Sequence, residues 1–297
     1  MNQVYLLCNI SRQAHQQAIS RQLNQKEKEV IYIRLMEQTR EIHPGMGLRT
    51  MYEMLEPDSI GRDAFIALGL SEGFRLKAIE NKVRTTYSIK SHRYTNLLSG
   101  IKFTDVNQIW SSDITYYLCL EKVYYIVFIM DVYSRRIIGY SVSDNMRAEN
   151  NFNALKMALR LRGVSIYHNQ LIHHSDKGSQ YASDLYTQTL DDYKIRISMC
   201  NEVYENTHIE RVNDTIKNQY LSRMHITNEK ELRQKLEQSI HRYNFLRPHQ
   251  SLAKKTPVEF EESILEIPQE KRIKLEIYTT PKLTNQTDPN QLKIVFN

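Results

Sequence analysis

Three carboxylates in this chain sit where sequence pattern alone can bring them together. Asp176 closes the apolar run Leu171-Ile172-His173-His174-Ser175-Asp176, and Lys177-Gly178 then turns the chain into a helical pattern. That arrangement predicts a carboxylate at the C-terminal rim of a strand, where α/β sheets build their sites. Asp113 lies in Trp110-Ser111-Ser112-Asp113-Ile114-Thr115-Tyr116, and strand alternation puts it with Thr115 on the face opposite Ile114 and Tyr116. Glu210 borders the stripe Ile209, Val212, Ile216, Tyr220 of a later helix, and Lys217 shares its face two turns on. Carboxylates gathered at one point repel one another, so they coexist stably only around hard cations such as Mg²⁺. Each acid also has a plainer reading. Asp113 suits a strand edge or cap, Glu210 suits a solvated helix face, and Glu202 and Glu205 compete with it as third ligand.

The elements that must position these acids follow from periodicity. Residues 1–40 read as helical, with Ser11 as an N-cap, and His43-Pro44-Gly45-Met46-Gly47 breaks the pattern. Leu48–Leu55 and Gly61–Leu68 form a helical pair about Pro57-Asp58-Ser59, open to a DNA-reading helix-turn-helix or to a plain packing module. From 75 to 102, Arg75, Lys77, Lys82, Arg84, Lys90, Arg93 and Lys102 mark a basic, extended linker suited to a phosphate backbone. Trp110–Leu120, Val123–Asp131 and Arg136–Val142 read as an antiparallel meander. A helix over Ala148–Arg162 closes at Gly163. Leu171–Asp176 is the fourth strand, Ala182–Tyr193 a helix and Ile195–Met199 the fifth strand. Two helices follow, Asn206–Leu221 and the segment carrying Leu232, Leu236, Ile240 and Tyr243. This order fits several α/β arrangements, among them a ribonuclease H-like fold, the one expected here: a mixed five-stranded sheet flanked by helices, preceded by a small all-helical region. The expected divisions are a helix-turn-helix-like DNA-binding region at 1–72, a linker at 73–105, a catalytic core at 106–262, and a tail at 263–297 that is a small appendage or disordered.

The 297 residues carry 40 Lys and Arg against 34 Asp and Glu, a net +6 that permits a polyanionic partner without requiring one. Cys8, Cys119 and Cys200 are too scattered for a disulfide framework or a cysteine zinc site. No apolar stretch approaches a membrane span and no leader pattern opens the chain, so a soluble, cytoplasmic protein is expected.

Five ordered motifs carry a resemblance. They are Trp110-Ser-Ser-Asp113-Ile-Thr-Tyr116, Asp131-Val-Tyr-Ser134-Arg135, His174-Ser-Asp176-Lys-Gly178, Glu205-Asn206-Thr-His-Ile-Glu210 and Tyr243-Asn-Phe-Leu-Arg247-Pro248-His249. Over about residues 5 to 262 the chain resembles bacterial insertion-sequence transposases with a retroviral-integrase-like DDE core, specifically the second-frame (orfB-type) product of two-frame elements. The resemblance implies that Asp113, Asp176 and Glu210 are both catalytic and metal-ligating, around two Mg²⁺ ions that Mn²⁺ can replace. It implies DNA contacts by Lys217, Lys177 and Arg211. It also implies double-stranded DNA as partner, at element ends and target, a homo-oligomer on that DNA, fusion to an upstream-frame helix-turn-helix product, and a nucleoid-associated place in the cytoplasm. Water would first expose a 3′-OH, which then attacks a second phosphodiester. Asp131 reads as structural and His174 as a hydrogen-bonded strand-end residue. The Asp176-to-Glu210 interval is shorter than usual there, Glu205 replaces the usual Asp, and Thr207 replaces a usual Ala. Two rivals remain: a catalytically silent DNA-binding remnant of an element, and a structure-selective nuclease of the same fold.

Overall fold

The structure, a computed structural model, describes residues 11–79, 94–200 and 206–277. Cys8, Glu202, Glu205 and the linker residues Lys82, Arg84, Lys90 and Arg93 lie outside them. The chain begins with α1 (Arg12–Ile42), whose first turn is capped as expected: the Ser11 hydroxyl accepts from the Ala14 N–H at 3.0 Å. Helices α2 (Leu48–Leu55) and α3 (Arg62–Ser71) fold against its C-terminal half around Met36, Met46, Met51 and Phe65, all fully buried.

The strands are β1 (Lys102–Phe103), β2 (Ile109–Cys119), β3 (Lys122–Asp131), β4 (Ile137–Ser143), β5 (Ile172–Ser175), β6 (Arg196–Met199) and β7 (Leu275–Glu276). The remaining helices are α4 (Ala148–Arg162), α5 (Asp184–Asp192), α6 (Thr207–Asp214), α7 (Glu229–Phe245) and α8 (Pro257–Leu265). Five strands form one sheet in the order β4-β3-β2-β5-β6, with β2, β3 and β4 antiparallel and β5 and β6 parallel to β2. This is the expected ribonuclease H-like mixed sheet. Its interior strand β3, between β4 and β2, reads Lys-Val-Tyr-Tyr-Ile-Val-Phe-Ile-Met-Asp because both faces are covered. Ile126, Phe128 and Met130 pack against α6 and α7 through Ile209, Val212 and Leu236, while Val127 and Ile129 pack against α4 and α5 through Leu155, Leu159 and Leu190. Helix α4 lies so close to β4 that a Cβ at Gly139 would fall 2.2 Å from the Ala154 carbonyl oxygen. It closes as expected at Gly163, φ +63°.

Two expectations of extent change, and of the two readings of the tail the strand-bearing one holds for its first part. Residues 94 onward are part of the core rather than linker: Leu98 is buried in it, and the Leu97 N–H donates to Ser198 Oγ at 2.9 Å. Part of the tail is structured too, since β7 pairs antiparallel with β1 and the Ile273 carbonyl accepts from the Tyr133 hydroxyl at 3.0 Å. The helix expected over Asn206–Leu221 is α-helical only to Asp214 and then runs as a π-helical turn over Thr215–Tyr220. Ile216, Tyr220 and Leu221 are all fully buried across this widened turn, a local adjustment frequent beside functional sites.

The helical N-terminal unit sits directly on that turn. The buried His43 Nδ1 and the Tyr220 hydroxyl are 2.7 Å apart, and a Cβ at Gly45 would meet Gln219 Cα at 2.4 Å. Such contact admits only glycine at that point. Among the described residues no helix is long and apolar enough to cross a membrane.

Candidate active site

Register decides where the first two acids go. Ser112 of β2 and Ser175 of β5 are partners in the parallel ladder, so Asp113 and Asp176 follow side by side at the point where the ladder ends. Past Ser112 the β5-side edge of β2 is open, which clears the space in front of Asp113. Beneath the pair lies Tyr181, fully buried, 2.9 Å from Ser112 Oγ, which itself donates to the Phe128 carbonyl at 2.9 Å. The Gly178 N–H donates to Asp176 Oδ1 at 3.1 Å, fixing that carboxylate through the turn after β5.

Helix α6 brings the third acid across the sheet. Its N-cap residue Asn206 is clamped to β2, with its amide donating to the Ser112 carbonyl at 3.1 Å and its Oδ1 accepting from the Ser111 hydroxyl. One helical step beyond Glu210, Asn213 Nδ2 donates to Asp113 Oδ2 at 2.7 Å. Glu210 therefore projects between two anchors to β2.

The electrostatics register this convergence. Burial, then the charge of Asp176, then that of Glu210 push the Asp113 carboxyl up to about 8, against the Ile114 N–H and the Asn213 amide, which pull it down. Burial raises Asp176 as well, opposed by the Gly178 N–H, and burial raises Glu210. Among the described residues no group of three or more His, Cys, Asp or Glu side chains is placed to hold a metal ion. The donor set nevertheless suits a hard cation. It is all oxygen, its acids repel one another, and beside Asp113 the Asn213 Oδ1 is buried without a hydrogen-bond partner.

Two family models, both described as integrase core domain, match residues 104–203 and 192–257 and together span the sheet, α6 and α7. The chain belongs to the integrase core family. Its relatives include the transposase for insertion sequence element IS904 of Lactococcus lactis subsp. lactis (strain IL1403), 33% identical over 172 residues, 56% of this chain and 66% of that protein. An uncharacterized 31 kDa protein of insertion element IS600 from Shigella sonnei is 34% identical over 162 residues, 54% of this chain and 58% of that one. The chain thus spans about three-fifths of these relatives' length. Among solved structures, the HTLV-2 integrase catalytic core domain in complex with magnesium is similar at a TM-score of 0.43 and 20% identity, covering 56% of this chain and 99% of that one.

In this integrase core the other singled-out residues take distinct places. Lys217 Nζ stands 4.4 Å from the centre of the Tyr116 ring, over the open edge of β2. Lys177 lies next to Asp176 in the rim turn. Arg211 lines a basic cavity on the other flank of α6, together with Arg135 and His208. Asp131 is fully buried and structural, accepting from the N–H groups of Asn107, Tyr133 and Ser134 at 2.7, 3.0 and 3.2 Å, with Arg162 at 3.3 Å. His174 is a buried strand-end residue, 2.9 Å from Ser198 Oγ and 3.1 Å from Cys200 Sγ. Sequence reasoning missed Asn213. The available signal was its spacing, three residues after Glu210 and so on the same helix face.

Proposed function

We propose that this chain is a DDE transposase, a metal-dependent polynucleotidyl transferase that cleaves and rejoins DNA strands at the ends of an insertion sequence. The observation that carries this reading is the meeting of Asp113 and Asp176 at the common rim of β2 and β5, where the charges of Asp176 and Glu210 both act on the Asp113 carboxyl. Asp113, Asp176 and Glu210 would hold a pair of divalent cations, Mg²⁺ or Mn²⁺. When bound, such ions activate the attacking oxygen and stabilise the leaving one in an in-line displacement at phosphorus.

The chain's own residues supply positioning. Asn213 and the Ile114 N–H hold the Asp113 carboxyl, and the Gly178 N–H holds Oδ1 of Asp176. The clamp of Asn206 on β2 sets the height of Glu210 over the rim. Lys217, partly desolvated so that its ammonium is destabilised, and Lys177 would contact phosphates flanking the reacting one. The named transposase relative and the convergent acids support this reading over a silent remnant. The partner is double-stranded DNA, engaged as a homo-oligomer in the cytoplasm and near the nucleoid, with 1–72 as a helix-turn-helix-like DNA-binding region, 106–262 as the catalytic core, and an upstream-frame product completing end recognition.

The test uses duplexes carrying the inverted repeats that flank the gene. Mg²⁺-dependent nicking and joining by the wild-type chain is the expected result. Activity that persists in both Asp113→Asn and Asp176→Asn, or that needs no divalent ion, overturns the proposal.

A further inference from the structure

A second charged site lies on the opposite flank of α6. On a helix, 208 and 211 point about half a turn away from 210 and 213, and His208 and Arg211 line a cavity of about 370 Å³. Its other walls come from the β3–β4 turn, the segment after α7, and α2 of the N-terminal unit, which contribute Arg135, Arg247 and Arg49.

Of the four guanidinium groups here, Arg49 pairs with Glu53, whereas Arg135, Arg211 and Arg247 have no ion-pair partner among the described residues. Arg135 Nη1 and Arg247 Nη1 are both buried without a hydrogen-bond partner, although Arg247 Nη2 donates to Gln219 Oε1 at 2.7 Å. Among the described residues Glu53 is the one carboxylate in the lining, and it already accepts from Arg49 Nε at 3.2 Å and Gln250 Nε2 at 3.0 Å. Lys254 is likewise engaged, by Glu56 at 2.9 Å. No salt bridge among the described residues involves Arg135, Arg211 or Arg247.

The fold holds this arrangement deliberately open. Arg135 sits in the left-handed backbone region, φ +62°, a conformation a non-glycine residue keeps only when its surroundings impose it. Asp131 imposes it by capping the turn, and Glu261 does so by accepting from Ser134 Oγ at 2.7 Å and binding Arg136 and Arg162. The acids nearby are thus spent on the turn's backbone and on Arg136 and Arg162. Burial, then Arg247 and Arg135, push the His249 imidazole down to about 3, a further mark of positive potential in the cavity.

Planar guanidinium forks converging where the one lining carboxylate, Glu53, is already engaged by Arg49 and Gln250 match the oxygens of a phosphate. An α-helix with side chains is about 10 Å across, and the phosphates of one strand advance about 3.4 Å each along a duplex. We propose that this cavity is a second phosphate site, which clamps a backbone phosphate of the bound nucleic acid about three nucleotides from the phosphate held at the Asp113, Asp176 and Glu210 rim. Because Arg49 belongs to the N-terminal unit, that phosphate also ties the unit to the core. The proposal rests on the DNA-acting reading above.

The experiment measures binding of the full chain to a random-sequence duplex of about 30 base pairs, in EDTA, by fluorescence anisotropy across a range of NaCl concentrations. Arg135→Gln is expected to reduce the slope of log affinity against log salt by about 0.9, the value of one lost phosphate contact, and Arg135→Lys to restore it. Should Arg135→Gln fail to melt as a folded protein, the exposed-helix variant Arg211→Gln reads the same slope. An unchanged slope in a folded variant overturns the proposal while leaving the transposase reading intact. A wild-type chain that binds no duplex overturns both. A calorimetric titration with inorganic phosphate separates a free-anion site: binding lost in Arg135→Gln with no change in the duplex slope also overturns the proposal.

Discussion

The two flanks of α6 carry opposite charge and handle it in the same way. On one, Glu210 and Asn213 face Asp113, whose proton affinity is raised by burial and then by the charges of Asp176 and Glu210. On the other, Arg211 faces Arg135 and Arg247, and the guanidinium groups lower that of His249. A protein optimised for stability alone would interleave these charges across the helix, because buried like charges destabilise a fold. Their segregation leaves each flank short of a counterion from outside: cations for the acids, a phosphate for the arginines. The flanks differ in support. The acids are held by backbone ladders and two asparagines, whereas the arginines are drawn from four separate segments and depend on the N-terminal unit staying docked.

The sharpest way to break this comparison is catalytic. Asp176→Asn and Asp113→Asn are each expected to lower the strand-cleavage rate by about 10³-fold or more, equal to about 4 kcal/mol of barrier, in single-turnover assays on end-containing duplex. Arg135→Gln should instead raise the DNA concentration required for half-maximal rate. If the arginine variant lost turnover at saturating DNA and the aspartate variants lost only affinity, the roles assigned to the flanks would be reversed.

Next in size is the cost of the acidic cluster itself. The folded-state value of about 8 for Asp113 lies above its ordinary 3.8, so folding favours the neutral form. That contribution is full below pH 3.8 and is lost as pH rises through about 8. Metal-free wild-type protein should therefore be less stable than Asp113→Asn at pH 9 by about 2–3 kcal/mol relative to their difference at pH 5, a figure discounted for residual hydration at the site mouth. Urea unfolding at the two pH values checks it, and equal pH profiles would show that burial and the neighbouring acids do not raise the Asp113 carboxyl.

The docking that completes the basic flank has its own pH signature. Burial, then Arg247 and Arg242, push the His43 imidazole down to about 4 from 6.5. The neutral form is favoured by folding, so this stabilisation is full above pH 6.5 and is lost as pH falls through about 4. His43→Gln should remove about 2 kcal/mol of the acid-side loss, read as a flatter unfolding midpoint between pH 7 and 4.5. The smallest effect sharpens the symmetry. A ligand at ten times its dissociation constant adds about 1.4 kcal/mol, so Mg²⁺ and inorganic phosphate should each raise the melting temperature by a few degrees. Asp113→Asn should abolish only the Mg²⁺ shift and Arg135→Gln only the phosphate shift.

Legibility in the sequence followed the range of the interactions. Asp176 was readable because it ends a strand pattern a few residues long, and strand ends are where sheet sites form; Asp113 lies within β2 and stood out only through the motif that carries the family resemblance. Ser11, Gly163 and the meander were readable for the same reason: a cap, a left-handed turn and a period-two run are all local. The structured part of the tail was not, because β7 exists only through its pairing with β1, about 170 residues away in sequence. Arg135, Arg247 and His249 were visible as motif residues, yet nothing in their neighbours discloses that they share a cavity with Arg211 and Arg49.

By itself the sequence determined the element types, the strand that carries Asp113, the strand end that carries Asp176, and the helix that carries Glu210, since those depend on side-chain periodicity over a single turn or strand. Tertiary structure alone decided the parallel register that sets Asp113 beside Asp176, the hydrogen bond of Asn213 to Asp113, and the gathering of arginines behind α6. Those depend on which distant segments pack together, and burial makes the resulting charge interactions strong enough to matter.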